Sequence, residues 1–199
     1  QACGAGLPFD STVADLLVDD KNHAQVWIRT EDGRLWRSGD NATNFEDASV
    51  NGQPATSIAQ HPTISGAQLA FDGSRLWKNE TGDDWEPASH WESKSPIVVM
   101  ATESKGSDAL LMLQNDGTLL RSTDGGENFD SIPDLPWDET TAPTGIEFHP
   151  ARDGLVIAYG GNRIYRSLDD GSSWRPIQMA ATGVGEDPIE IRDLVPCNE

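Results

Sequence analysis

The chain has 199 residues, 24% charged and 36% hydrophobic, a globular composition with length enough for one domain and a real core. Its 33 acidic residues against 14 basic ones leave a net charge of −19, which repels polyanions and argues against nucleic acid and anionic membrane surfaces as partners. No apolar run approaches the roughly 20 residues of a membrane-spanning helix; the longest, PIVVMA at 96–101 and ALLML at 109–113, are strand-sized.

Taken in chain order, the elements recur. A first apolar strand, VADLLVDD at 13–20, is followed by QVWIRT at 25–30, the tight turn EDG at 31–33, and RLWRSGDNATNF at 34–45. The same order returns as TSIAQHP, QLAF, DGS and RLWKNETGDDW over 56–85, and as IVVMATE, LLML, NDG and TLLRSTDGGENF over 97–129. A fourth copy runs TGIEFHP, LVIAY, GGN and RIYRSLDDGSSW over 144–174. The closing aromatics Phe45, Trp85, Phe129 and Trp174 stand 40, 44 and 45 residues apart. Glycine-bearing turns between short apolar runs are hairpin signals. Four antiparallel strands at this period predict an all-β chain, a four-bladed β-propeller with blades near 12–50, 51–92, 93–140 and 141–180. Residues 181–199 are left as a closing segment, in which IEIRDLVP at 189–196 repeats the pattern of a first strand.

The repeated Ser-x-Asp-x-Gly-x-x-aromatic resembles the Asp-box, or BNR repeat, found in sialidases, xyloglucan-cleaving hydrolases and sortilin-type receptors. His61-Pro62 and His149-Pro150 resemble the sortilin and xyloglucanase blades. The resemblance implies a propeller and leaves function open, since the repeat serves unrelated tasks. The third and fourth copies are intact; the first has Ala42 in place of glycine, and the second has Thr81 for aspartate and Asp83 for glycine. Aspartate at such a turn accepts backbone N–H groups, so Asp40, Asp124 and Asp169 are expected to be turn staples.

Two cysteines, Cys3 and Cys197, stand at the two ends. Two are too few for a four-cysteine zinc site, and a bridge between them or two free thiols both remain open. The bridge is preferred; it would close the ring, stabilise the fold by about 5 kcal/mol and indicate an oxidising compartment. Terminal-disulfide closure is similar to that of hemopexin-type four-bladed propellers. The sequons at Asn41 and Asn79 agree with a secreted glycoprotein. A monomer is expected, with a ring completed by two chains as the alternative.

Alignment on the second strands places Asp19, His61, Glu103 and His149 at one blade position, 42, 42 and 46 residues apart. Two imidazoles and two carboxylates suit zinc or a similar divalent ion on the propeller axis; the competing reading is blade scaffolding. Trp91 and Trp137 fall in segments read as loops between blades, where aromatics beside acids suit sugar stacking or a peptide groove. Tyr159 and Tyr165 fall at core-strand positions, which disfavours a sialidase-type nucleophile. The leading expectation is a non-catalytic binding module for a glycan or protein. The alternative is a carbohydrate-active hydrolase or lyase, which would require two suitably spaced carboxyls.

Overall fold

A computed structural model describes residues 6–8, 10–19, 22–80, 84–103 and 107–177; Cys3, Cys197 and the 189–196 segment lie outside them. Sixteen strands and no helix occur among the described residues. Blade 1 comprises β1 (Val13–Val18), β2 (Val26–Thr30), β3 (Leu35–Ser38) and β4 (Glu46–Asp47). Blade 2 comprises β5 (Ser57–Gln60), β6 (Gln68–Phe71), β7 (Arg75–Asn79) and β8 (Glu86–Glu92). Blade 3 comprises β9 (Ile97–Thr102), β10 (Leu110–Gln114), β11 (Leu119–Ser122) and β12 (Asp130–Ser131). Blade 4 comprises β13 (Gly145–Phe148), β14 (Val156–Gly160), β15 (Arg163–Ser167) and β16 (Arg175–Ile177).

Each blade is an antiparallel meander in which every strand pairs with its sequence neighbours. The hairpin glycines Gly33, Gly73, Gly117 and Gly161 all take positive φ between β2–β3, β6–β7, β10–β11 and β14–β15, a region open to glycine at no steric cost. The architecture is all-β and consistent with a four-bladed propeller, as the repeat predicts.

The core lies between blades. Trp27 and Leu35 of blade 1 meet Ile58, Ala70 and Trp85 of blade 2. Leu69 and Leu76 of blade 2 meet Met100, Leu110 and Met112 of blade 3. Leu111 and Leu119 of blade 3 meet Ile146, Ala158 and Tyr165 of blade 4. Trp85, Phe129 and Trp174 fold back toward the preceding blade, with Trp85 edge-on to Trp27 at 5.9 Å and its Nε1 donating to the Ala48 carbonyl. The inner strands follow one another: β1 lies beside β5, β5 beside β9 and β9 beside β13. No comparable contact joins β13 to β1 among the described residues. Blade 1 is instead backed by Leu7 and Ala42, which pack on Val26, Ile28, Trp36 and Phe45.

Candidate functional site

The Ser-x-Asp turns of blades 1, 3 and 4 share one hydrogen-bond plan. The Ser38, Ser122 and Ser167 hydroxyls donate to Asp40, Asp124 and Asp169 at 2.8, 2.7 and 2.7 Å. Each hydroxyl accepts from the backbone N–H of Ala42, Gly126 or Gly171 at 3.1, 2.9 and 2.9 Å. The same aspartates accept from the N–H groups of Asn44, Asn128 and Ser173 at 2.9, 2.9 and 2.8 Å. The Asn44 N–H and its side-chain amide, with the Ser38 hydroxyl, hold the Asp40 carboxyl at about 2. Burial pushes Asp124 and Asp169 up, and the Asn128 and Ser173 donors outweigh it, so both end below the ordinary value. These carboxylates accept hydrogen bonds within their own turns.

Asp19, His61, Glu103 and His149 do occupy one repeat position. Their N–H groups donate six residues onward, to the carbonyls of Gln25, Ala67, Ala109 and Leu155 at 3.1, 2.8, 3.1 and 2.9 Å. Their side chains are not grouped as an axial centre would require: among the described residues, no three His, Cys, Asp or Glu side chains are gathered to hold an ion. Each of the four side chains has a local partner instead. Asp19 Oδ1 accepts from the Asn22 N–H at 3.0 Å and from Gln60 Nε2 at 3.3 Å. His61 Nδ1 accepts from the N–H groups of Thr63 and Ile64 at 3.3 and 3.1 Å. The Ser107 hydroxyl donates to Glu103, and the Ala151 N–H donates to His149 Nδ1 at 3.0 Å. The His61 ring lies against blade 3, where a Cβ on Gly125 would stand 3.1 Å from its Cε1. Burial, with Lys78 nearby, lowers the His61 pKa and favours the neutral imidazole. The sequence located the position; its chemistry is that of a loop latch.

The two singled-out tryptophans part company. Trp137 is 8% exposed, sits 4.9 Å from Tyr165 and 5.3 Å from Trp174, and donates its Nε1 to the Gly117 carbonyl at 2.9 Å. It packs in the cluster between blades 3 and 4. Trp91 belongs to β8 rather than to a loop, and is half-buried against Phe129 at 5.0 Å. Asn79 is 1% exposed at the serine position of the second turn, so a glycan on it is incompatible with this packing. Asn41 is exposed. Tyr159 donates to Glu147 at 2.9 Å and Tyr165 to the Thr141 carbonyl at 3.2 Å, which leaves both phenols in the core.

Two open cavities join residues from separate segments. One, of about 340 Å³, lies between Pro87–His90 and the blade 3 turn at Glu127 and Asn128, close to the Trp91–Phe129 pair. The other, of about 390 Å³, lies at the start of β1 among Asp10, Glu31, Asp32 and Arg34. Neither signal was readable in the sequence, because each cavity joins residues from separate turns.

No family model matches the chain, and no curated protein matches it. Solved structures do. YCF48 from Cyanidioschyzon merolae is 13% identical with a TM-score of 0.60, over 89% of this chain and 59% of that one. A structure of YCF48 bound to D1 peptide is 20% identical with a TM-score of 0.59, over 86% and 55%. The GH74 xyloglucanase from Xanthomonas campestris is 17% identical with a TM-score of 0.63, over 83% and 30%. The likeness is one of β-propeller fold, and the chain spans three-fifths or less of the length of these structures.

Proposed function

We propose that the chain is a non-catalytic binding module for a protein segment. The observation that supports it is the state of the carboxyls. Asp32, Asp40, Asp72, Asp116, Asp124, Asp138 and Asp169 all lie below their ordinary value. Glu80 does so as well, through Lys78. A glycoside hydrolase needs one carboxyl raised to act as general acid; these are held as anions by turn donors. An acidic surface with apolar side chains beside it suits recognition of a polypeptide. The peptide complex of the YCF48 fold neighbour agrees with this choice.

The hydrolase reading draws on the GH74 neighbours. One assay separates the two. Xyloglucan and a panel of other polysaccharides are incubated with the protein, and new reducing ends are measured. None are expected; sustained release would overturn the binding reading. In the same proposal the protein works in an oxidising compartment with Cys3 bridged to Cys197. Alkylation of the unreduced, denatured protein should then add no mass, and two modified thiols would reject the bridge.

A further inference from the structure

The repeat makes β1 an internal outlier. Leu16, Ile58, Met100 and Ile146 hold one position, three residues before the latch and opposite Ile28, Ala70, Met112 and Ala158 across the ladder. Ile58, Met100 and Ile146 are 9%, 9% and 4% exposed, while Leu16 is 63% exposed. Val13 and Val18 are likewise 50% and 43% exposed, and Ala55 and Ile97, the counterparts of Val13, are buried. The β-bulge between Val13 and Asp15 pairs Val13 with Thr30, which brings it to the face that carries Leu16. Among the described residues, three large apolar side chains of β1 are therefore exposed on a face that the other blades largely bury. Exposure of this kind marks an interaction surface.

The uncovered area is narrow. Farther out on the same face, Val26, Ile28 and Trp36 already pack with Leu7 and Ala42. The shape left over is one strand wide and about as long as β1, which fits an extended segment and not a whole blade. Charge narrows the choice further. The strip starts at the acidic cavity of Asp10, Glu31 and Asp32, with Arg34 as its one cation among the lining residues, and the chain as a whole carries −19.

We infer that the exposed face of β1 is a docking strip for an extended segment of a partner protein, one with apolar residues at alternate positions and a lysine or arginine that meets Asp10, Glu31 and Asp32. The inference rests on the binding reading above and gives it a place and a ligand chemistry. The apolar row supplies contact area, and the acidic cavity supplies register and direction by charge complementarity.

The test uses the full chain and a fluorescein-labelled decapeptide that alternates valine and threonine and ends in two lysines. Anisotropy should show saturable binding that weakens with added salt. Leu16→Asp should weaken it at least about tenfold, Glu31→Lys should weaken it less, and Val98→Asp, an exposed valine on β9, should leave it unchanged. Leu16→Asp should also leave the melting temperature and the sedimentation coefficient as they are. A fall of the melting temperature by more than about 5 °C would mean that the chain covers this face itself, and loss of a dimer would mean that a second copy does; either overturns the strip. Peptide binding that is indifferent to Leu16→Asp overturns the strip and leaves the binding reading standing. No binding of this peptide at any salt concentration also overturns the strip, whereas only polysaccharide cleavage removes the binding reading.

Discussion

The turn of blade 1 and the turns of blades 3 and 4 are built alike and surrounded differently. Ala42, Gly126 and Gly171 are equivalent, and their φ angles are 59°, 100° and 81°. A left-handed backbone alone would favour glycine at all three. A second constraint acts in only two of them. A Cβ on Gly126 would stand 2.9 Å from Leu76 Cδ2, and one on Gly171 would stand 2.7 Å from Leu111 Cδ2. Both leucines belong to the preceding blade. In blade 1 a methyl group fits, and Ala42 packs on the cluster of Val26, Ile28, Trp36 and Phe45. Glycine in this repeat therefore answers to the adjacent blade as well as to its own turn, and Ala42 marks the blade that no leucine-bearing sheet overlies among the described residues.

The strongest way to break this comparison is to remove the leucine. Leu111 is fully buried between blades 3 and 4, so Leu111→Ala should cost about 2–5 kcal/mol, while Leu16→Ala in exposed β1 should cost less than about 0.5 kcal/mol. Denaturant melts of the two variants give both numbers. Equal losses would mean that blade 1 is covered as the others are.

Gly171→Ala comes next, at roughly 2–4 kcal/mol from positive φ and overlap together. The double variant Gly171→Ala with Leu111→Ala sharpens it. If the overlap with Leu111 matters, the two losses will sum to more than the double variant shows. Strict additivity would reduce the glycine requirement to backbone conformation alone.

Titration separates turn from latch. His61 has its pKa lowered from 6.5, so the folded state prefers the neutral ring. Its contribution is complete above that value and is lost as pH falls through the lower folded one. Asp40 is lowered from 3.8 to about 2, and its contribution is complete above 3.8 and is lost on the way down to about 2. Thermal melts against pH should therefore show a first decline below about 6.5 and a second below about 4. His61→Asn keeps an acceptor for the Thr63 and Ile64 N–H groups and should remove the first decline only. Persistence of that decline would assign it elsewhere.

The fold was legible because the repeat writes each blade out. Register, hairpin glycines and aspartate staples are local, and each can be read from a few adjacent residues. What was not legible depends on distance in space. His61 and His149 have ligand chemistry, yet their Nδ1 atoms are taken by N–H groups two or three residues on, a commitment that residue type does not reveal. Trp137 sits in a polar stretch of sequence and is buried by Tyr165 and Trp174 from the next blade. The sequon at Asn79 falls on a strand position that the other blades fill with serine, so its burial follows from alignment once the strand is known. Leu16 reads as a core residue in any single blade; only the burial of its three counterparts sets it apart.

The smallest effect is the most informative about the first turn. Ala42→Gly relieves a left-handed alanine, a conformation that costs on the order of 1–2 kcal/mol for a residue with a Cβ. Against this stand the extra freedom of glycine in the unfolded chain, about 0.4–1 kcal/mol, and the loss of a methyl group that packs on the Val26, Ile28, Trp36 and Phe45 cluster. The net gain should be about 0.5 kcal/mol, or one to a few degrees in melting temperature. The sign carries the argument, because the reverse exchange at Gly171 should be a clear loss. A loss at Ala42 as well would show that the packing of its methyl group on the blade 1 cluster outweighs backbone strain.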